Sequence, residues 1–128
     1  MRVAVRSLIV AAGLCAATFA SFAAELPFSQ PAFDKALAAG KPVVVDFAAS
    51  WCPTCKAQKP IVQALLKDPK RKTLTVFVAD FDKEEAVKKQ LNVTMQSTLI
   101  AFKGGKEVAR STGQTDKAEL GALLDKAI

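Results

Sequence analysis

The sequence has no histidine, a single tryptophan and only three cysteines in 128 residues. Each scarcity removes a class of function. A closed structural zinc site needs four Cys or His ligands. Once Cys15 is set aside in the apolar N-terminal stretch, only Cys52 and Cys55 remain, so no such site can form and no metal ligand is assigned. Two cysteines also cannot build the disulfide framework that staples many small exported domains. A bridge across two intervening residues constrains the unfolded chain by only about 1–2 kcal/mol, which makes it a poor stability device. The densest basic run, Lys67, Lys70, Arg71 and Lys72, has no aromatic side chains interleaved with it. That argues against nucleic acid as a partner, and the run is expected to cap a helix end. There are no repeats and no low-complexity linker, and the length allows one small domain.

The N-terminus reads as a secretory signal. Arg2 and Arg6 form a basic start, Leu8 to Phe19 is apolar and rich in alanine, and Ser21-Phe22-Ala23 offers small residues at the cleavage positions. The expected organisation is a signal peptide over 1–23 and one domain over 24–128, placing the mature protein in the periplasm. An uncleaved anchor is the competing reading, since Ser7 to Ala24 is uncharged and long enough to span. Its alanine, serine and glycine content makes it only weakly hydrophobic. A lipid-modified Cys15 is disfavoured by the bulky Leu14 before it. The net charge of +6 falls to about +4 without Arg2 and Arg6.

Patterning orders the rest of the chain. Pro31 to Ala39 is predicted as a short helix closed by Gly40, and Lys41 to Ala48 as a buried strand rich in β-branched residues. Apolar residues on both faces suit a central, parallel strand. A helix runs from Pro53 toward Lys67, with Pro60 expected to kink it. Strand Thr73 to Phe81 and a charged helix, Lys83 to Gln90, with Ala86 and Val87 inward, come next. Strands Thr98 to Phe102 and Lys106 to Ser111 are joined by a Gly104-Gly105 hairpin. Thr115 to Ile128 is an amphipathic helix capped by Thr115 or Asp116. This alternation predicts an α/β sheet with helices on both faces.

The chemistry concentrates in Trp51-Cys52-Pro53-Thr54-Cys55, at the junction of the buried strand and the following helix. Unpaired N–H groups and the positive dipole end of a helix start lower the first thiol's pKa. The second thiol lies one turn on and can attack a mixed disulfide formed at the first. The pair reads as a dithiol–disulfide exchange centre.

With its surroundings, the chain resembles the thioredoxin superfamily from Phe28 to Ile128. The likeness rests on Val45-Asp46-Phe47, Trp51 to Lys56, Pro60, Thr98 to Gly105, and Gly113. It implies a thioredoxin-like mixed sheet of about four strands, the first short or absent. It implies Cys52 as the exposed attacking thiolate, Cys55 as the buried resolving thiol, and Asp46 as a buried acid moving the Cys55 proton. An acid between Val45 and Phe47 is desolvated, which raises its pKa toward a useful range. The alternative is a strand-end Asp making ordinary hydrogen bonds. Trp51, Pro53, Thr54, Gln96 and Ser97 would form the substrate groove.

Three departures stand out. The family's cis-proline position holds Ser97. A non-proline cis bond costs about 3–4 kcal/mol, so Gln96–Ser97 is expected to be trans, the sulfurs unshielded, and a hydroxyl near a thiolate. A lysine common near the buried acid is replaced by Val78. Only Glu25 to Phe28 remains for a first strand. The resemblance implies an exported thiol–disulfide oxidoreductase with no cofactor beyond the Cys52–Cys55 couple. Its partners would be exported protein thiols or disulfides, and an upstream redox partner such as a membrane electron-transfer protein. No histidine lies between the cysteines, unlike in strongly oxidising relatives, which favours reduction. The alternative is a redox-responsive or soft-metal-handling protein using the same two thiols, with Met95 nearby.

Overall fold

The computed structural model describes residues 22–128; the predicted signal lies almost wholly outside them. Five strands, β1 (Ala24–Pro27), β2 (Val43–Ala48), β3 (Thr75–Asp80), β4 (Thr98–Lys103) and β5 (Lys106–Thr112), form one sheet in the order β1-β3-β2-β4-β5. β1, β3 and β2 run parallel, while β4 and β5 are antiparallel. The first strand is present and short, four residues paired to β3. Among the described residues, four α-helices accompany the sheet: α1 (Gln30–Ala38), α2 (Pro53–Leu66), α3 (Glu85–Gln90) and α4 (Lys117–Asp125).

Alternation along β2 divides the core. Val44 faces α2 and α4 with Val62, Leu65, Leu120 and Leu124. Val43, Val45 and Phe47 face α1 and α3 with Phe33, Phe77 and Val87. Phe28, Phe33, Phe77 and Phe102 meet edge-on or tilted, with ring centroids 5.4–6.2 Å apart, a geometry aromatic quadrupoles favour. β4 is buried along its first five residues, as a strand covered on both faces should be.

Local chemistry sets the element ends. Gly40, at φ +66°, closes the α1 turn in a left-handed conformation. Asp116 caps α4 by accepting the Glu119 N–H at 2.9 Å. The hairpin falls on Gly104 and Gly105, both at positive φ. α2 runs on unbroken past Pro60.

Two expectations need correction, and a third is met in a buried setting. Ala86 is exposed; in its place the half-buried Lys88 ammonium lies 4.1 Å from the Phe81 ring centroid, a cation–π contact that covers apolar surface. Ile128 is exposed and Ala127 fills the core position instead. Arg71 does meet a helix end, as expected of the basic run, but from inside the fold. It sits in a 3₁₀ turn, Pro69–Arg71, is 4% exposed, and grips Asp125 of α4 through two hydrogen bonds of 2.8 and 3.1 Å. It also donates to the Leu65 carbonyl at the end of α2.

Candidate active site

Cys52 is itself the N-cap of α2. Its Sγ accepts the Cys55 N–H at 3.1 Å, so the helix start and the reactive sulfur are one device. Pro53 enters the first turn, where its missing N–H costs nothing. One turn along, Cys55 points back toward the same spot. Both cysteines are free thiols and both are buried. Cys52 is only 1% exposed and Cys55 7%, which corrects the expectation of an exposed first thiol. The covering group is Ser97. Its Oγ lies 3.1 Å from the Cys52 sulfur and 3.0 Å from the Cys55 sulfur. The serine shields the dithiol rather than uncovering it.

Electrostatics separates the two thiols where exposure does not. Burial pushes the Cys52 pKa up, but hydrogen bonds from the Cys55 thiol, the Ser97 hydroxyl and the backbone at Cys55 and Thr54 outweigh it and hold it below an ordinary thiol. Burial pushes Cys55 up. Its hydrogen bond to Cys52 and the charge there push the same way, and hydrogen bonds with Ser97 and the Ala49 backbone only partly offset them. One thiol is set to ionise first and the other to keep its proton.

Asp46 stands on β2 between Val78 of β3 and Leu99 of β4. Its carboxyl faces a cavity of about 400 Å³ whose walls include Cys55, Val78, Glu25, Lys59 and Asp80. Burial first, then the nearby Glu25 carboxylate, raises its pKa from 3.8 to about 7. The Asp46 Oδ1 is buried without a hydrogen-bond partner among the described residues. Asp46 is therefore not a strand-end acid with ordinary hydrogen bonds. The cavity joins it to Cys55.

Around the sulfurs, Trp51 is 55% and Met95 54% exposed. The Trp51 indole N–H donates to Asp82 Oδ2 at 2.8 Å, which fixes the ring beside the motif. Pro53 is exposed, while Thr54 and Gln96 are half-buried. No peptide bond among the described residues is cis, so Gln96–Ser97 is trans as expected. Ser97 also has φ +60°, rare for a residue with a Cβ.

Two residues escaped the sequence reading. Glu25 was visible only as a strand residue, because its proximity to Asp46 depends on how β1 docks. Gln58 is buried on the inward face of α2, where its Nε2 donates to the carbonyls of Ser97 and Gln114 at 3.3 and 2.7 Å. The available signal was a polar side chain in register with Cys55, Val62 and Leu65 on an otherwise apolar stripe.

The thioredoxin family model matches residues 25–126. A thioredoxin of Chlamydia trachomatis is 39% identical over 98 residues, spanning 77% of this chain and 93% of that protein. Thioredoxin-2 of Saccharomyces cerevisiae is 38% identical over 87 residues, spanning 67% of this chain and 82% of its own length. Among solved structures, the crystal structure of Trxlp from Edwardsiella tarda superposes with a TM-score of 0.77 at 42% identity, covering 79% of this chain and 98% of that one.

Proposed function

The chain belongs to the thioredoxin family and is a thiol–disulfide oxidoreductase built on the Cys52/Cys55 dithiol, and on that premise we propose that it works in the periplasm as a reductase of exported proteins. In this reading the Cys52 thiolate attacks one sulfur of a substrate disulfide. The other substrate sulfur leaves and takes up a proton, and a mixed disulfide remains. Cys55 then gives its proton to Asp46 across the shared cavity. Its thiolate attacks Cys52 Sγ and expels the second substrate thiol. Two electrons have passed to substrate and the Cys52–Cys55 disulfide has formed. No cofactor is needed beyond that couple; an upstream redox partner, such as a membrane electron-transfer protein, restores the dithiol. Trp51, Pro53, Thr54, Gln96 and Ser97 would seat the substrate.

The observation that carries the direction is the donor set at Cys52. Every hydrogen bond that lowers its pKa comes from a neutral group: a thiol, a hydroxyl and two backbone N–H groups. Strong oxidants stabilise their reduced form, and among the described residues no cation lowers the Cys52 pKa. The test is a glutathione redox titration of the purified dithiol. A potential near the roughly −270 mV of reducing thioredoxins supports the proposal, whereas one near −120 mV overturns the direction. Cys55→Ser should trap a mixed disulfide through Cys52; trapping through the other thiol in Cys52→Ser reverses the two roles. N-terminal sequencing of the protein from a periplasmic fraction should begin at Ala24. Recovery of the intact N-terminus in membranes would support the anchor instead.

A further inference from the structure

Gln58 is 1% exposed, one turn past Cys55. Its amide orientation is fixed by its surroundings. Nε2 faces two carbonyls, so exchanging nitrogen and oxygen would set acceptor against acceptors. Its Oε1 has no partner among the described residues. A buried, half-satisfied amide is a poor way to stabilise a helix face; an apolar side chain of similar volume would do better. The reason for a glutamine here therefore lies in what its Nε2 holds.

It holds Ser97. The Ser97 carbonyl accepts from Gln58 and, at 3.0 Å, from the Gly113 N–H. The Ser97 N–H donates to the Phe47 carbonyl at 2.8 Å. These bonds pin both ends of a residue in the left-handed region, which serine would not keep unaided. That backbone places Oγ within 3.1 Å of both sulfurs.

We propose that Gln58 is a positioning residue of the dithiol: by gripping the Ser97 carbonyl it holds the Ser97 hydroxyl between the two sulfurs. There the single O–H can donate to the Cys52 thiolate, beside the Cys55 S–H that turns to the same sulfur. The inference rests on the dithiol chemistry of the chain, and not on its direction or compartment.

The test is the thiolate absorbance of Cys52 followed against pH in four proteins: the parent, Gln58→Met, Ser97→Gly and the double variant. Glycine suits the left-handed backbone and removes the hydroxyl together with its Cβ. Gln58→Met should lower the thiolate fraction at neutral pH by roughly threefold to tenfold, the scale of weakening one hydrogen bond to a charged group. The double variant should titrate like Ser97→Gly alone, because Gln58 acts through that hydroxyl. A parent-like titration in Gln58→Met overturns the proposal, and so does an additive shift in the double variant. If Gln58→Met does not fold, Gln58→Leu is held to the same outcomes. Disulfide turnover by the parent is measured alongside. Its absence would count against the exchange reading, while the titrations would still decide the role of Gln58.

Discussion

Asp46 is held where its charge is unwelcome, and that single side chain sets much of the protein's pH behaviour. Its carboxyl ionises near 3.8 in an unfolded chain and near 7 in the fold. Between these values the folded state keeps a proton that the unfolded state has released, so this group makes stability fall as pH rises from about 4 to 7. Above 7 the penalty is complete, at most about 4 kcal/mol at 1.36 kcal/mol per pKa unit. Asp46→Asn is therefore expected to be more stable than the parent at pH 8, by up to that amount, and to lose the advantage at pH 4. Denaturant titrations at the two pH values check this; an equal difference at both would contradict a buried titrating acid. The same variant should slow mixed-disulfide resolution and lose the inflection near pH 7 in its rate profile. Glu25 from β1, Asp80 from β3, and Lys56 and Lys59 from α2 share the cavity with Asp46. Of these, Glu25 raises its pKa. Glu25→Gln should move the Asp46 carboxyl titration, read by carbon-13 NMR, to lower pH. An unmoved titration would show that the two acids do not interact. Ser97 carries the last argument at this scale. Proline there would lose the N–H bond to Phe47 and cannot reach φ +60°, so glycine is the informative replacement.

Element types were legible wherever periodicity was strong. β2 and β4 read as buried apolar runs, α4 as an apolar stripe capped by Thr115 or Asp116, and the hairpin as paired glycines. The four-residue β1 was least legible, because its mixed composition resembles a loop until β3 is beside it. Gln58 and the Asp125 partner of Arg71 were missed for a shared reason. Gln58 bonds backbone carbonyls 39 and 56 positions away, and Arg71 reaches an acid 54 positions away; no local pattern encodes such partners. Arg71 also sits in a basic run that reads as a helix-end cap. In the fold it ties the end of α2 to α4, satisfying the Leu65 carbonyl and pairing with Asp125. Asp125 is partly solvated, with 37% of its side chain exposed, so the pair counts for less than a fully buried one. Arg71→Leu should cost about 2 kcal/mol, since it removes the pair with Asp125 and one donor of the Leu65 carbonyl, which keeps the Asp68 N–H. Asp125→Asn should cost less, since that carbonyl keeps both donors. Urea midpoints of the two variants compare them. Equal losses would mean the ion pair, and not the carbonyl, is the main stabilising contact.

For the whole molecule, redox direction and stability form one thermodynamic cycle. A fold that favours its disulfide over its dithiol is both a reductant and more stable when oxidised; a fold that favours its dithiol is the reverse, as in strongly oxidising relatives. The packing here bears on both sides. The sheet order places Cys52 at the end of β2, beneath Ser97 at the start of β4. At 1% exposure the Cys52 thiolate is desolvated, which disfavours the charged dithiol. The hydrogen bonds of Ser97 and of the α2 start favour it, with neutral donors only. Loop closure across two residues adds about 1–2 kcal/mol to the oxidised side. On balance the oxidised protein should unfold at higher denaturant concentration than the reduced protein at pH 7. Each 1.4 kcal/mol of that gap corresponds to about 30 mV in the couple. Guanidinium titrations of the two redox forms, set beside the glutathione potential, make the cycle testable from two independent sides. A reduced form more stable than the oxidised one would remove the basis for the reductase direction while leaving the family and its dithiol chemistry in place.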